Sequence, residues 1–115
     1  MATALYLAGK ITGDPDFIEK FARAQARLEA KDFIVFNPAK LPQDAFSWDA
    51  YMRIGFALLD ECDVICMLPD WRESNGATWE LGRAIAKGKR IIYYEDIVHV
   101  DEDGALSSAA QTTGN

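Results

Sequence analysis

The sequence predicts a single three-layer α/β domain, with helices on both faces of a parallel sheet of about four strands. Three observations carry that prediction. Short apolar runs alternate with longer stretches of helical apolar spacing in the order β-α-β-α-β-α-β, the pattern of parallel strands joined by right-handed crossovers. The 115 residues are 50% hydrophobic and 11% aromatic, enough for a packed core without metal or disulfide support. That length suits one core, not two.

Each element has a local reason. Leu5 to Ala8 is an apolar run stopped by Gly9 and followed by the turn-prone Gly13-Asp14-Pro15. Asp14 reads as a helix N-cap and Pro15 as the first helical residue, where a missing N–H is harmless. Phe17, Phe21, Ala24 and Leu28 recur at helical spacing, giving a first helix to about Lys31. Phe33 to Phe36 is a brief strand ended by Asn37-Pro38. Ser47 caps a second helix with Trp48, Met52, Phe56 and Leu59 on its apolar positions, and Val64 to Leu68 is a buried-type strand. Ser74-Asn75-Gly76 opens a third helix carrying Ala77, Leu81, Ala84 and Ile85 and closed by Gly88. Lys87, Lys89 and Arg90 stand at its C-terminal end, where the helix dipole favours cations. Ile91 to Tyr94 is the last strand, so residues 1–100 are expected to form the domain. Residues 101–115 form an acidic, polar tail, expected to be partly flexible, and Ser107 to Asn115 lacks a hydrophobic face to bury.

The net charge of −6 first suggests that a general polyanion binder is excluded, since duplex DNA rewards basic faces. Through Arg90, however, 13 acids face 12 bases, and the other five acids all follow: Glu95, Asp96, Asp101, Glu102 and Asp103. The domain proper is thus close to neutral. No basic face emerges for a nucleic-acid polymer, while a single phosphate stays open as a ligand. Cys62 and Cys66 have no second pair or nearby histidine to complete a metal site, since the one histidine is His99. They read as small buried residues in a reduced, cytoplasmic compartment. No apolar run approaches membrane-spanning length, and no signal sequence opens the chain, so no membrane is expected as a partner.

Ligands of open parallel sheets bind beyond the carboxyl ends of the strands, where strand order reverses. The loops expected there, Gly9 to Asp14 and Pro69 to Gly76, each lead into a helix N-terminus whose free amides suit a phosphate. Lys10, Thr12, Ser74 and Asn75 can add donors, although the same residue types also cap helices. Glu80 lies about one turn into the third helix and leans back toward those strand ends. Its plainer reading is a surface pair with Arg83 or Arg72. Tyr6 sits in the first strand, and Trp48 and Trp71 flank the cleft, where each either stacks on a base or simply packs.

Two segments together carry a resemblance. Tyr6-Leu7-Ala8-Gly9-Lys10-Ile11-Thr12-Gly13 and Ser74-Asn75-Gly76-Ala77-Thr78-Trp79-Glu80-Leu81-Gly82-Arg83-Ala84 resemble the nucleoside 2-deoxyribosyltransferase superfamily, whose fold is Rossmann-like (flavodoxin-like). Ser74, where true transferases usually carry Asp, brings the chain nearer the nucleoside 5′-monophosphate N-glycosidase branch. Asn37-Pro38-Ala39 and Cys62-Asp63 are similar to small bacterial and phage relatives within the superfamily. The resemblance covers roughly residues 3 to 94. It implies that Glu80 is a nucleophile attacking the anomeric carbon of a ribose or deoxyribose, and that Tyr6 orients it. Gly9, Ile11 and Thr12 backbone groups with Ser74 would cradle the substrate's 5′-phosphate, and Lys10, Asn75, Gly76, Trp48 and Trp71 complete the candidate substrate-binding set. No cofactor or metal is implied. A homodimer or larger assembly is expected, with Trp48 as its anchor, because relatives complete their sites with a neighbour's loop.

One departure stands out. The superfamily usually carries an Asp eight residues before the Asp of the Cys-Asp element, to hold the sugar or protonate the leaving base. That count from Asp63 reaches Gly55. Asp60 and Glu61 lie on the wrong helical face to replace it, while Asp49 or Asp70 would serve only from a different geometry. Three expectations follow: an N-glycosidase or deoxyribosyltransferase-like enzyme, a nucleotide-sequestering module that binds without cutting, or a scaffold with neither activity.

Overall fold

The computed structural model describes residues 2–100, so the tail expected at 101–115 lies outside the described residues. Four strands, β1 (Thr3–Ala8), β2 (Phe33–Phe36), β3 (Val64–Met67) and β4 (Arg90–Tyr93), form one parallel sheet in the order β2-β1-β3-β4. Helices α1 (Phe17–Glu29), α2 (Trp48–Asp60) and α3 (Asn75–Ala86) make the crossovers. The fold is therefore the Rossmann-like α/β sandwich that the alternating pattern predicts.

Strand alternation sorts the core into two layers. Leu5 and Leu7 of β1 pack with Phe21, Ala24 and Leu28 of α1 on one face. Tyr6 and Ala8 turn to the other, against Leu59 of α2 and Ala77, Leu81 and Ala84 of α3. Phe21 and Leu28 are fully buried, a contribution of about 1.5–3 kcal/mol each. β3 is buried along its whole length, because it is a central strand covered on both faces. Cys66 lies in the α1 layer and Cys62 in the other, both as free thiols. Burial pushes the Cys66 thiol up to about 12 and that of Cys62 to about 11.

Four local expectations need correction. α1 starts at Phe17, and Asp14 is not its cap: the Asp14 carboxylate accepts the Asp16 N–H at 2.9 Å and pairs with Lys20. α1 ends at Glu29, and Asp32 takes a left-handed turn at φ 71 before β2. Ile85 is 60% exposed, since Ala77, Leu81 and Ala84 already define the stripe facing the sheet. Beyond β4, residues 94–100 are helical, and Tyr94 and Ile97 pack on the α1 layer.

The caps at Ser47 and Ser74 form as expected, accepting the Ala50 N–H at 3.2 Å and the Ala77 N–H at 3.0 Å. At the far end of α2, Asp60 accepts from Arg83 Nε at 2.8 Å and Nη2 at 2.6 Å, a fork that ties α2 to α3. Hydrogen bonds from Arg83 hold the Asp60 carboxyl down to about 2. No helix among the described residues is long and apolar enough to cross a membrane.

Candidate active site

The chain leaves β1 toward α1 on one face and leaves β3 toward α3 on the other, so strand order reverses between these two neighbouring strands. A cavity of about 440 Å³ opens at their carboxyl ends, within the range of small-ligand pockets. Gly9 makes the close passage there possible. A Cβ on it would stand 2.7 Å from Leu68 Cδ1, while the Leu68 N–H donates to Ala8 O at 2.8 Å.

Tyr6 and Glu80 meet at this cavity. The Tyr6 O–H donates to Glu80 Oε2 at 2.6 Å, joining residues 74 apart in sequence. The alternation that turns Tyr6 toward α2 and α3 and the backward lean of Glu80 on α3 aim both groups at one point. Glu80 is 8% exposed, so the surface pairing with Arg83 or Arg72 is not formed. Arg83 binds Asp60 instead, and the Arg72 guanidinium lies 4.6 Å from the Trp71 ring centre. Burial pushes the Glu80 carboxyl up to about 7, against the lowering effect of the Tyr6 hydrogen bond. Burial and the neighbouring Glu80 charge raise the Tyr6 hydroxyl well above its ordinary range, which keeps it a donor at neutral pH.

Gly55 belongs to the same point. It is buried on α2, and a Cβ there would stand 2.7 Å from Glu80 Oε2 and 2.8 Å from Tyr6 Oη. Gly55 leaves no empty space beside it. The hydrogen-bonded Tyr6–Glu80 pair fills that place, and Gly55 adds no second carboxylate to the centre.

Around this pair, Gly9, Ile11 and Thr12 line the cavity from the β1 loop and Ser74, Asn75 and Gly76 from the start of α3. Ser74 Oγ accepts the Ala77 N–H, leaving its own O–H to donate outward. The amides of Asn75 and Gly76, in the first turn of α3, have no intrahelical partner. Trp48 lines the opposite side and meets Trp79 edge-on at 5.3 Å.

Two residues expected in the site lie outside it. Trp71 packs on the core layer of α2 and α3. Lys10 turns its ammonium to Glu73 Oε1 at 3.2 Å, and its N–H donates to Asp70 Oδ1 at 3.1 Å. Asp49 and Asp70 are likewise absent from the lining. Asp70 is engaged by Lys20, whose Nζ also donates to Lys10 O at 2.8 Å and to the Asp14 carboxylate. Burial works against the Lys20 charge, yet those carboxylate hydrogen bonds outweigh it and raise its pKa. The β1 and β3 loops are thereby tied to one ammonium.

The lining also holds residues that sequence reasoning missed: Pro38, Leu41, Gln43, Phe46, Tyr51, Met52 and Glu73. Tyr51 and Met52 follow Trp48 by three and four positions and share its helix face, so helical spacing contained that part. The Tyr51 hydroxyl accepts the Ala45 N–H at 3.1 Å and donates to Pro42 O, which fixes the irregular segment before α2. Among the described residues, no group of three or more His, Cys, Asp or Glu side chains is gathered as a metal site would require.

Residues 3–93 match the family described as "Domain of unknown function (DUF4406)". Among solved structures, a 2-desoxiribosyltransferase from Leishmania mexicana shares the fold, with a TM-score of 0.64 and 22% identity. The likeness covers 79% of this chain and 63% of that one, so this chain spans less than two thirds of its neighbour's length. No curated protein matches the sequence.

Proposed function

The chain belongs to the DUF4406 family, and from that premise we propose that it cleaves the N-glycosidic bond of a nucleoside or nucleoside 5′-monophosphate, with Glu80 as nucleophile. The observation that carries this reading is the Tyr6–Glu80 hydrogen bond of 2.6 Å at a cavity large enough for a nucleoside. The Glu80 carboxylate attacks the anomeric carbon as the bond to the base nitrogen breaks, and the base takes up a proton from solvent water. A covalent glycosyl ester results, and water or a second base then displaces Glu80 from the anomeric carbon. Tyr6 orients the carboxylate, and Phe46, Trp48 and Tyr51 offer faces to the base. The Ser74 hydroxyl and the α3 amides receive the 5′ end.

The direct test incubates the chain with a panel of ribonucleosides, deoxyribonucleosides and their 5′-monophosphates. Free base is expected from at least one class, and none from any would overturn the enzymatic reading. A second reading, a module that holds a nucleotide without cutting it, is favoured by Gly55, which leaves no second carboxylate at the centre. Calorimetric binding without base release, weakened by Ser74→Ala, is its signature.

Tyr6 lowers the pKa of Glu80 by donating to its charged form, so Tyr6→Phe is expected to raise that pKa further. Since the nucleophile must be ionised, the acid limb of the pH–rate profile, near 7 in the wild type, should move upward. An acid limb that stays in place in Tyr6→Phe contradicts the orienting role.

A further inference from the structure

We propose that Glu73 determines how strongly this site accepts a phosphorylated 5′ end, acting against phosphate through its own charge and its hold on Lys10. The inference rests on the nucleoside reading above and adds a specificity residue to it. Glu73 immediately precedes the Ser74 cap and lines the cavity, with a side chain 66% exposed. Its carboxylate accepts from Lys10 Nζ at 3.2 Å. The lining contains two carboxylates, Glu73 and Glu80, and no Lys or Arg.

Lys10 cannot easily supply the missing positive charge. Its backbone is fixed at both ends of the residue, by the N–H to Asp70 and by the carbonyl accepting from Lys20. Its ammonium is paired with Glu73 where it stands. A phosphate at the α3 N-terminus would lie beside the Glu73 charge and would have to draw Lys10 away from it. An uncharged 5′-hydroxyl meets no such opposition, and it can donate to the Glu73 carboxylate as a fully ionised phosphate cannot. The device discriminates by charge at one end of the ligand and leaves the Tyr6–Glu80 centre untouched.

The test measures dissociation constants for each nucleoside of the panel above and for its 5′-monophosphate with the full chain, by tryptophan fluorescence on rapid mixing. Glu73→Gln is expected to shift the ratio of the two constants about threefold in favour of the monophosphate, the size of one exposed charge contact. Lys10→Met should shift it the other way by a similar factor. Both shifts should shrink at high salt, as a change in packing would not. Both members of a pair binding with an unshifted ratio in Glu73→Gln overturns this inference alone. Failure of every nucleoside and monophosphate of the panel to bind the wild-type chain overturns the functional reading and this inference with it.

Discussion

Glu80→Gln is expected to reduce base release by about a thousandfold or more, because the amide cannot attack the anomeric carbon. The same substitution should make the protein more stable in mild alkali. The Glu80 carboxyl rises from its ordinary 4.5 to about 7 on folding, because burial disfavours the charged form. The fold therefore favours the protonated acid. Its contribution is fully present below about pH 4.5 and is lost as pH climbs through about 7. Above that, the ionised carboxylate costs about 3 kcal/mol, at about 1.4 kcal/mol per pH unit. Gln keeps an acceptor for the Tyr6 O–H and carries no charge, so its melting temperature should exceed that of the wild type at pH 8 and approach it at pH 4. Parallel base-release assays and thermal melts at the two pH values check both halves. Undiminished release in Glu80→Gln would sink the nucleophile assignment.

Gly55→Ala carries the second large effect. A methyl at this position would stand 2.7 Å from Glu80 Oε2 and 2.8 Å from Tyr6 Oη, closer than real Cβ atoms approach. Either the Tyr6–Glu80 hydrogen bond opens or α2 moves off the sheet. Overpacking of this kind costs about 1–3 kcal/mol, and displacing the carboxylate should lower turnover about a hundredfold. Gly55→Asp, which places a carboxylate here, is expected to fare no better. Its carboxylate would enter occupied space and bring a second negative charge against Glu80. Denaturant melts and base-release rates on both variants test this, and a gain of turnover in Gly55→Asp would contradict it.

What the sequence made legible was what depends on near neighbours. The strands of the central sheet, the serine caps at Ser47 and Ser74 and the apolar stripe of α1 follow from residues a few positions apart. Asp14 looked like a cap for the same reason, and was misread because its partner is decided by Lys20, which also reaches the β3 loop. The Tyr6–Glu80 contact spans 74 residues and the Lys10–Glu73 pair 63, so no local spacing encodes either. Spacing alone placed Glu80 at the surface, and only the paired motifs suggested Tyr6 beside it. The cavity wall from Pro38 to Phe46 was illegible because a short 3-10 turn and an irregular segment carry no period to detect. At Gly55 the missing side chain was visible in the sequence. That its place is taken by a tyrosine–carboxylate pair required the three-dimensional packing.

The two cysteines give the sandwich a built-in record of its own opening. Cys66 is sealed under the α1 layer and Cys62 under the layer of α2 and α3, each held as an unreactive thiol by burial. An alkylating reagent reaches either one only during the moments when the helices above it lift. The lifetimes of the two faces can thus be timed independently in the unaltered chain, one sulfur per layer.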